Sequence, residues 1–362
     1  MPFLFGRNFT RRQLQTYVAD SGQIAQVQRS TLRDGRAEGV DVVRVVTGSG
    51  FEFLAVPGRA LDIASASYNG IPLGWRALHG EVNAAFFEPE DMGWMRGYVG
   101  GLLTTGGLTY MGSPSIDNGE RLGIHGRISY VPASNVWADA DWDGDCYKLW
   151  VRGHVAEASA LGPNLVMTRE ISTEMGANSF TIRDTVENRT FEPTPHMMLY
   201  HFNIGFPVLS ESSKLLADSE KIVGRDAVSN ASIDTWNSFD APQAGRDHHL
   251  FYHTLKPDTD GRTHVALVGM QVQEPLGIFI SYKHDTLPWL ANWKCMQPGN
   301  YVTGIEPCNA WVEGRAIERE AGRLRFLGPW ESVSYEVEFG VLVGKQEIQT
   351  FVSEHRLPDP EL

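Results

Sequence analysis

Short segments in which apolar and polar residues alternate at period two, cut by glycine or proline, recur along almost the whole chain. VDVVRVV (40–46) and FEFLAV (51–56) are joined by TGSG, which reads as a hairpin. LDIASASYNGIPLGW (61–75) carries a second tight-turn signal at Tyr-Asn-Gly-Ile. YKLWVRGHV (147–155), LVMTREISTEM (165–175) and SFTIRDTVEN (179–188) follow. In the last of these, Phe180, Ile182, Asp184 and Val186 share one face, and Thr181, Arg183, Thr185 and Glu187 the other. HMMLYHFNI (196–204), THVALVGMQV (263–272), LGIFISYK (276–283), RLRFLG (323–328) and ESVSYEVEFGVLVG (331–344) continue the pattern. One good helix candidate stands out, FTRRQLQTYVADSG, closed by Gly22, and residues 210–250 read as a long irregular stretch with short strands. So many strands with almost no helix between them exclude a βαβ architecture and predict an all-β fold of antiparallel sheets. The expected organisation is an N-terminal extension with a short helix (1–35), one large β domain (36–350) and a C-terminal tail (351–362).

The chain's 362 residues suffice for a sizeable core. Its net charge of −13, with no run of more than two Lys or Arg, excludes the basic footprint of a nucleic-acid partner. Cys146, Cys295 and Cys308 form no CxxC pair and are too few for a disulfide framework. The opening residues lack a signal-peptide apolar core, and no stretch is long enough to span a bilayer, so a cytoplasmic, reducing location and no membrane partner are expected.

No phosphate loop, dinucleotide fingerprint, nucleophile elbow or HExxH occurs. Three segments instead place titratable residues among apolar ones. LGIHGRISYVP sets His125 between glycines, with Arg127 two residues on; Gly123 and Gly126 would let the backbone come close to a ligand. PTPHMMLYHFNIGFP puts His201 and Asn203 on one side of a strand, and His196, five residues earlier, on the other. The bland alternative for either histidine is a core imidazole bonded to backbone; the sharper one is a general acid. YVTGIEPCNAW holds Glu306 between Ile305 and Pro307, with Asn309 beyond, and a carboxylate in such a context must be paired, shifted in pKa or functional. Nearby stand GRDHHLFYH, with Asp247, His248, His249 and His253, and the glycine-rich GGLLTTGGLTYMG. Trp75, Trp94, Trp289, Trp293 and Trp311 are candidates for stacking on sugar rings, although large aromatics more often fill cores. Arg59, Arg96, Arg127 and Lys294 are candidate anion contacts.

Taken in order, these motifs resemble the galactose mutarotase-like (aldose 1-epimerase) superfamily, most closely its uncharacterised bacterial aldose 1-epimerase branch. LGIHGR resembles the early His-Gly motif, DTVENRTFEPTPHMMLYHFNIGFP the central strand that ends at the second histidine, and TGIEPCN the late motif with the carboxylate. The likeness runs over roughly 40–345. It departs where His-Gly-Gly becomes His-Gly-Arg, which suggests a different or more anionic substrate, and Asp247 matches the family's substrate-binding Asp only loosely.

The resemblance implies a β-supersandwich and a metal-free anomer exchange. Glu306 would be the base, His201 the acid and His125 their assistant. Arg127, Asn203, Asp247, Arg59, Lys294, Trp293 and Asn309 would hold the sugar. A rival reading has His125, His201, Glu306 and one of His196, His249 or His253 ligating a divalent metal for aldose–ketose isomerisation or epimerisation. A third has a sugar-binding module without chemistry. The expected partner is a small sugar or sugar derivative, with a homodimer favoured on general grounds.

Overall fold

The computed structural model of the chain describes residues 1–269 and 274–360. Its principal strands are β1 (Gln26–Thr31), β2 (Asp41–Val46), β3 (Phe51–Val56), β4 (Asp62–Tyr68), β5 (Leu103–Leu108), β6 (Ser134–Asp143), β7 (Cys146–Ala158), β8 (Asn164–Glu174) and β9 (Ser179–Asn188). They continue with β10 (Thr194–Gly205), β11 (Lys214–Ala217), β12 (Ser219–Gly224), β13 (His249–Leu255), β14 (Arg262–Gly269), β15 (Leu276–Lys283), β16 (Trp289–Gln297), β17 (Asn300–Cys308) and β18 (Ser332–Val343). The larger sheet runs β12-β13-β16-β17-β10-β5-β4-β3-β2-β1. Short strands Ile71–Pro72 on β4 and Arg325–Leu327 on β10 bring it to twelve. The smaller sheet has eight strands, in the order β6-β7-β8-β9-β18-β15-β14-β11.

The alternation that defines the strands also packs the two sheets together. On β9, Phe180, Ile182, Asp184 and Val186 are buried, while Arg183 and Thr185 are exposed. Phe180 meets Phe53 of the larger sheet at 4.9 Å between ring centroids, and Phe202 of β10 stacks on Phe339 of β18 at 5.6 Å. Asp184 is the polar member of this inner face. It takes a two-pronged ion pair from Arg169 of β8, at 2.9 and 2.7 Å, and accepts a hydrogen bond from the Tyr200 hydroxyl at 2.6 Å. Arg169 also donates to Thr105 Oγ1 at 2.8 Å and lies 3.3 Å from Asp62. One fully buried guanidinium therefore ties both sheets together.

Strand β10 sits near the middle of the larger sheet and is buried on both faces from His196 to Gly205. One face meets the smaller sheet, and the other is covered by loops and by Trp293 of β16. This explains why HMMLYHFNI reads as a nearly continuous apolar run rather than a clean alternation.

The helix expected over FTRRQLQTYVADSG shortens to α1 (Arg11–Gln15), followed after a break by a single 3₁₀ turn at Ser21–Gln23. Thr10 and Gln13 form a reciprocal capping box, but only Leu14 of the helix is buried, so nothing carries the helix past Thr16. Helices α2 (Ala227–Ala231), α3 (Arg315–Glu320) and α4 (Gly344–Glu354) have no counterpart in the sequence reading. Nor has β6, whose SNVWADADWD alternates but is interrupted by aspartates that disfavour strands. The expected strand at 263–272 is realised as β14 up to Gly269; its end lies outside the described residues. Strand β1, within the expected N-terminal extension, pairs with β2 in the larger sheet. Helix α4 crosses residue 350, and Ile348, Val352 and Leu357 share an apolar cluster with Ala266 and Val268 of β14.

Candidate active site

His201 and Glu306 come from neighbouring strands in the centre of the larger sheet. On β10 and β17, Phe202 pairs with Ile305 and Asn203 with Gly304, which brings the two side chains to the same face. His201 Nε2 and Glu306 Oε1 approach to 3.2 Å. A Cβ on Gly304 would overlap Glu306 Oε1, so this glycine is what lets the carboxyl fold back along its own strand.

His125 reaches the same place from a loop. Its backbone is left-handed (φ 57°), held by its N–H donating to the Gly112 carbonyl at 2.8 Å and its carbonyl accepting from Gly107 N at 3.1 Å. Its ring lies edge-on to that of His201, with centroids 5.6 Å apart. Gly126 follows with φ 81°, and a Cβ there would overlap the carbonyls of Gly107 and Tyr110; at Gly123 one would overlap the Pro89 carbonyl. These glycines thus serve close backbone packing, and not the approach to a ligand that the sequence suggested.

The three groups face a cavity of about 240 Å³. Trp94, Tyr98, Ile124, Leu250, Trp293 and Val312 supply apolar wall, and Met92, Met95, Ser113, Arg225, His248 and His249 complete the lining. A larger, more open depression of about 680 Å³ on the outer face of the smaller sheet, around Trp137, Trp150 and Arg183, brings no comparable set of buried titratable groups together.

Electrostatically the cavity is unusual. Several buried side-chain atoms of the described residues lack a hydrogen-bond partner, and three of them gather here: His201 Nδ1, His125 Nδ1 and Glu306 Oε1, whose approach to His201 Nε2 is an ion-pair contact without hydrogen-bond alignment. Native structures leave few such atoms, and each calls for an explanation. Burial alone pushes Glu306 up to about 8. Burial, reinforced by His125, pushes His201 down to about 3, and burial lowers His125 to about 4. Burial thus favours the protonated carboxyl and the neutral imidazoles.

Of the expected sugar contacts, only Trp293 lines the cavity. Its indole N–H donates to His248 Nδ1 at 3.3 Å. Asn203 stands behind the wall, where its Oδ1 accepts from the Tyr98 hydroxyl at 2.5 Å and so orients a ring that does line it. Asn309 is consumed by the backbone, accepting from Met198 N at 2.7 Å. Arg59 is buried away from the cavity and donates to the carbonyls of Ser129, Val82 and Gly97. Lys294 donates to the carbonyls of Thr235 and Ser238 at 3.0 and 2.7 Å. Arg127 and Asp247 are exposed and are absent from the lining.

Of the expected fourth metal ligands only His249 shares the cavity with His125, His201 and Glu306, and among the described residues these four do not bring their ligand atoms within 4.8 Å of one another. His196 lies on the opposite face of β10, with Nδ1 3.1 Å from the Leu108 carbonyl and Nε2 2.7 Å from the Tyr335 hydroxyl. His253 is held by Ser219 at 3.0 Å, and His249, which does line the cavity, by Ser232 at 3.2 Å. Tyr98 and Arg225 are the lining residues with most chemistry that the sequence did not single out. Tyr98 lies in an irregular stretch without a motif, and Arg225 follows the last residue of a short edge strand.

A family model described as "Domain of unknown function (DUF4432)" matches residues 37–341. No curated protein matches the sequence. Among solved structures, a candidate aldose 1-epimerase from Klebsiella pneumoniae superposes with a TM-score of 0.88 at 24% identity, covering 93% of this chain and 90% of its own. A galactose mutarotase-like protein from Clostridium acetobutylicum follows at 0.60 and 14%, covering 88% and 99%. The galactose 1-epimerase of Lactobacillus acidophilus gives 0.57 and 10%, covering 89% and 100%. At these identities the likeness speaks for the fold. The chain belongs to the DUF4432 family and has the galactose mutarotase-like β-supersandwich fold.

Proposed function

We propose that this protein interconverts the anomers of a free sugar by acid–base ring opening, with His201 and Glu306 as the proton-transfer pair and His125 as their assistant. The observation that carries the reading is the pair of buried, oppositely shifted groups, His201 and Glu306, whose Nε2 and Oε1 stand 3.2 Å apart in one cavity. At about 240 Å³ that cavity lies below the 300–1,000 Å³ of drug-sized sites, as suits a single sugar ring.

The chemistry needs one group that can accept a proton and one that can give one. Neutral His201 accepts the proton of the anomeric hydroxyl while protonated Glu306 donates to the ring oxygen. The bond from C1 to the ring oxygen breaks and an aldehyde forms. Rotation about C1–C2 presents the other face of the carbonyl, and ring closure returns both protons. The resemblance assigns Glu306 as base and His201 as acid, whereas the burial of both groups starts the cycle from the opposite protonation. Because the reaction is symmetric, each residue plays both parts in one round trip, and the pair carries one proton throughout. Trp94 and Trp293 would stack on apolar sugar faces. The proposed reaction calls for neither metal nor nucleotide.

Exchange NMR of a panel of aldoses and sugar acids in D₂O tests the proposal. Faster exchange between anomer signals, with no new compound and no deuterium on carbon, supports it. New products, or deuterium on carbon, would replace it with isomerisation at another centre. Sugar binding without exchange would leave a binding module.

A further inference from the structure

We propose a second site, a divalent transition-metal site formed by Asp258, His264 and His355 on the outer side of the smaller sheet. The three residues come from three elements: the turn before β14, β14 itself and the end of α4. One potential ligand atom from each lies within 4.8 Å of the others. Asp258 is fixed in its turn, with Oδ1 accepting from the backbone N–H groups of Asp260 and Arg262, both at 2.9 Å. Its other oxygen, Oδ2, is hydrogen-bonded to His264 Nε2 at 2.9 Å, a contact that an ion bridging the two groups would replace.

The second shell is also in place. His264 Nδ1 lies 2.8 Å from Ser281 Oγ on the adjacent strand β15, the outer partner that fixes ring orientation in metal-binding histidines. The His355 ring stacks on that of His264 at 3.7 Å between centroids, and joint ligation of one ion would require the His355 side chain to turn out of this stack. The surrounding charge favours a cation. Asp258, Glu338 and Glu354 all act on His355, while Arg262, the cation felt there, is engaged by Glu336 at 2.6 Å. Burial lowers the pKa of both histidines, in the direction of the neutral form that binds a metal. Two imidazoles and one carboxylate, with the remaining positions open to water, suit Zn²⁺, Co²⁺ or Ni²⁺ better than Mg²⁺ or Ca²⁺. Binding would fasten the last turn of α4 to β14 and close the apolar contacts of Ile348, Val352 and Leu357.

The test is calorimetric titration of the metal-stripped, untagged full chain with Zn²⁺ and Co²⁺, beside thermal melts. One equivalent should bind with micromolar or tighter affinity and raise Tm, and Ca²⁺ should not. Asp258→Asn and His355→Ala, both at positions not fully buried, should each weaken binding at least tenfold and abolish the Tm rise. His201→Asn should bind metal like the wild type, which separates this site from the cavity. No stoichiometric binding overturns the proposal. So does binding that survives both Asp258→Asn and His355→Ala, or that is lost in His201→Asn. Circular dichroism of each variant verifies the fold, and the Co²⁺ absorption spectrum of the wild type reports nitrogen ligation independently of Tm.

Discussion

Strand β10 separates two buried polar clusters with opposite character. On its inner side Arg169, Asp184, Asp62, Thr105 and Tyr200 satisfy one another almost completely, with Asp62 Oδ2 the exception. On its outer side His201, Glu306 and His125 each keep an unpartnered buried atom. His196 and His201 on this one strand make the same point. The first uses both ring nitrogens within the fold, while the second turns Nε2 toward Glu306 and leaves its buried Nδ1 without a hydrogen-bond partner. A buried polar group that is fully bonded holds structure. One that is buried and unbonded costs stability and calls for an explanation, of which a ligand that completes it is one.

The sharpest way to break this contrast is to remove the outer pair. Glu306→Gln and His201→Asn should each lower anomer exchange by about 10²–10⁴-fold, the usual worth of a positioned proton transfer. Saturation-transfer NMR checks this, and a Glu306→Gln enzyme with more than about a tenth of wild-type exchange would remove the carboxyl from the chemistry. The same variant should be more stable than the wild type near neutrality. The Glu306 carboxyl ionises at about 8 in the native chain against an ordinary 4.5, so the unfolded chain alone loses that proton as pH rises between these values. Native stability falls across that window, and Glu306→Gln removes the slope. Melts from pH 4.5 to 8 read it directly.

The inner cluster should respond in the reverse sense. Arg169→Met leaves Asp184 and Asp62 buried without their cation and should cost about 3–5 kcal/mol by denaturant unfolding. A cost below 1 kcal/mol would mean the guanidinium is not what joins the sheets. A third test is the pH profile of exchange. Activity should fall above about pH 8 as Glu306 ionises, and at the acid end near pH 4 as His125, then His201, takes a proton. An alkaline limb set instead by an ordinary carboxylate would contradict the single-proton pair.

Smaller effects sharpen the boundary. Gly304→Ala should displace the Glu306 carboxyl and lower exchange about ten- to a hundredfold, with Tm nearly unchanged. Arg127→Ala and Asp247→Ala, exposed and outside the cavity, should stay within about twofold of the wild type. A large loss at either would mean that the loops rearrange around the sugar.

Period-two alternation made the sheets legible, because each strand must show one face to the core; β9 follows the expected pattern residue by residue. His201 and Glu306 were legible because a titratable group inside an apolar run is expensive and therefore conspicuous. The surroundings of the expected sugar contacts were less so. Arg59 and Lys294 look like anion binders in a string of letters, yet both are spent on backbone carbonyls. That accounting is set by three-dimensional neighbours far away in sequence. Tyr98 went unseen for the converse reason, since its local sequence carries no periodicity and its orienting partner Asn203 is 105 residues away. The short amino-terminal helix shows the limit of propensity: a strong local signal extends no further than the surface it can bury.

The cavity draws its parts from two sources with different freedom to change. His201 and Glu306 are clamped in the middle of a twelve-stranded sheet, whereas His125, Met92 and Met95 arrive on connecting segments. Changes confined to those segments would reshape the rim of the cavity, and with it the molecules that fit, while the sheet holds the His201–Glu306 pair where it is.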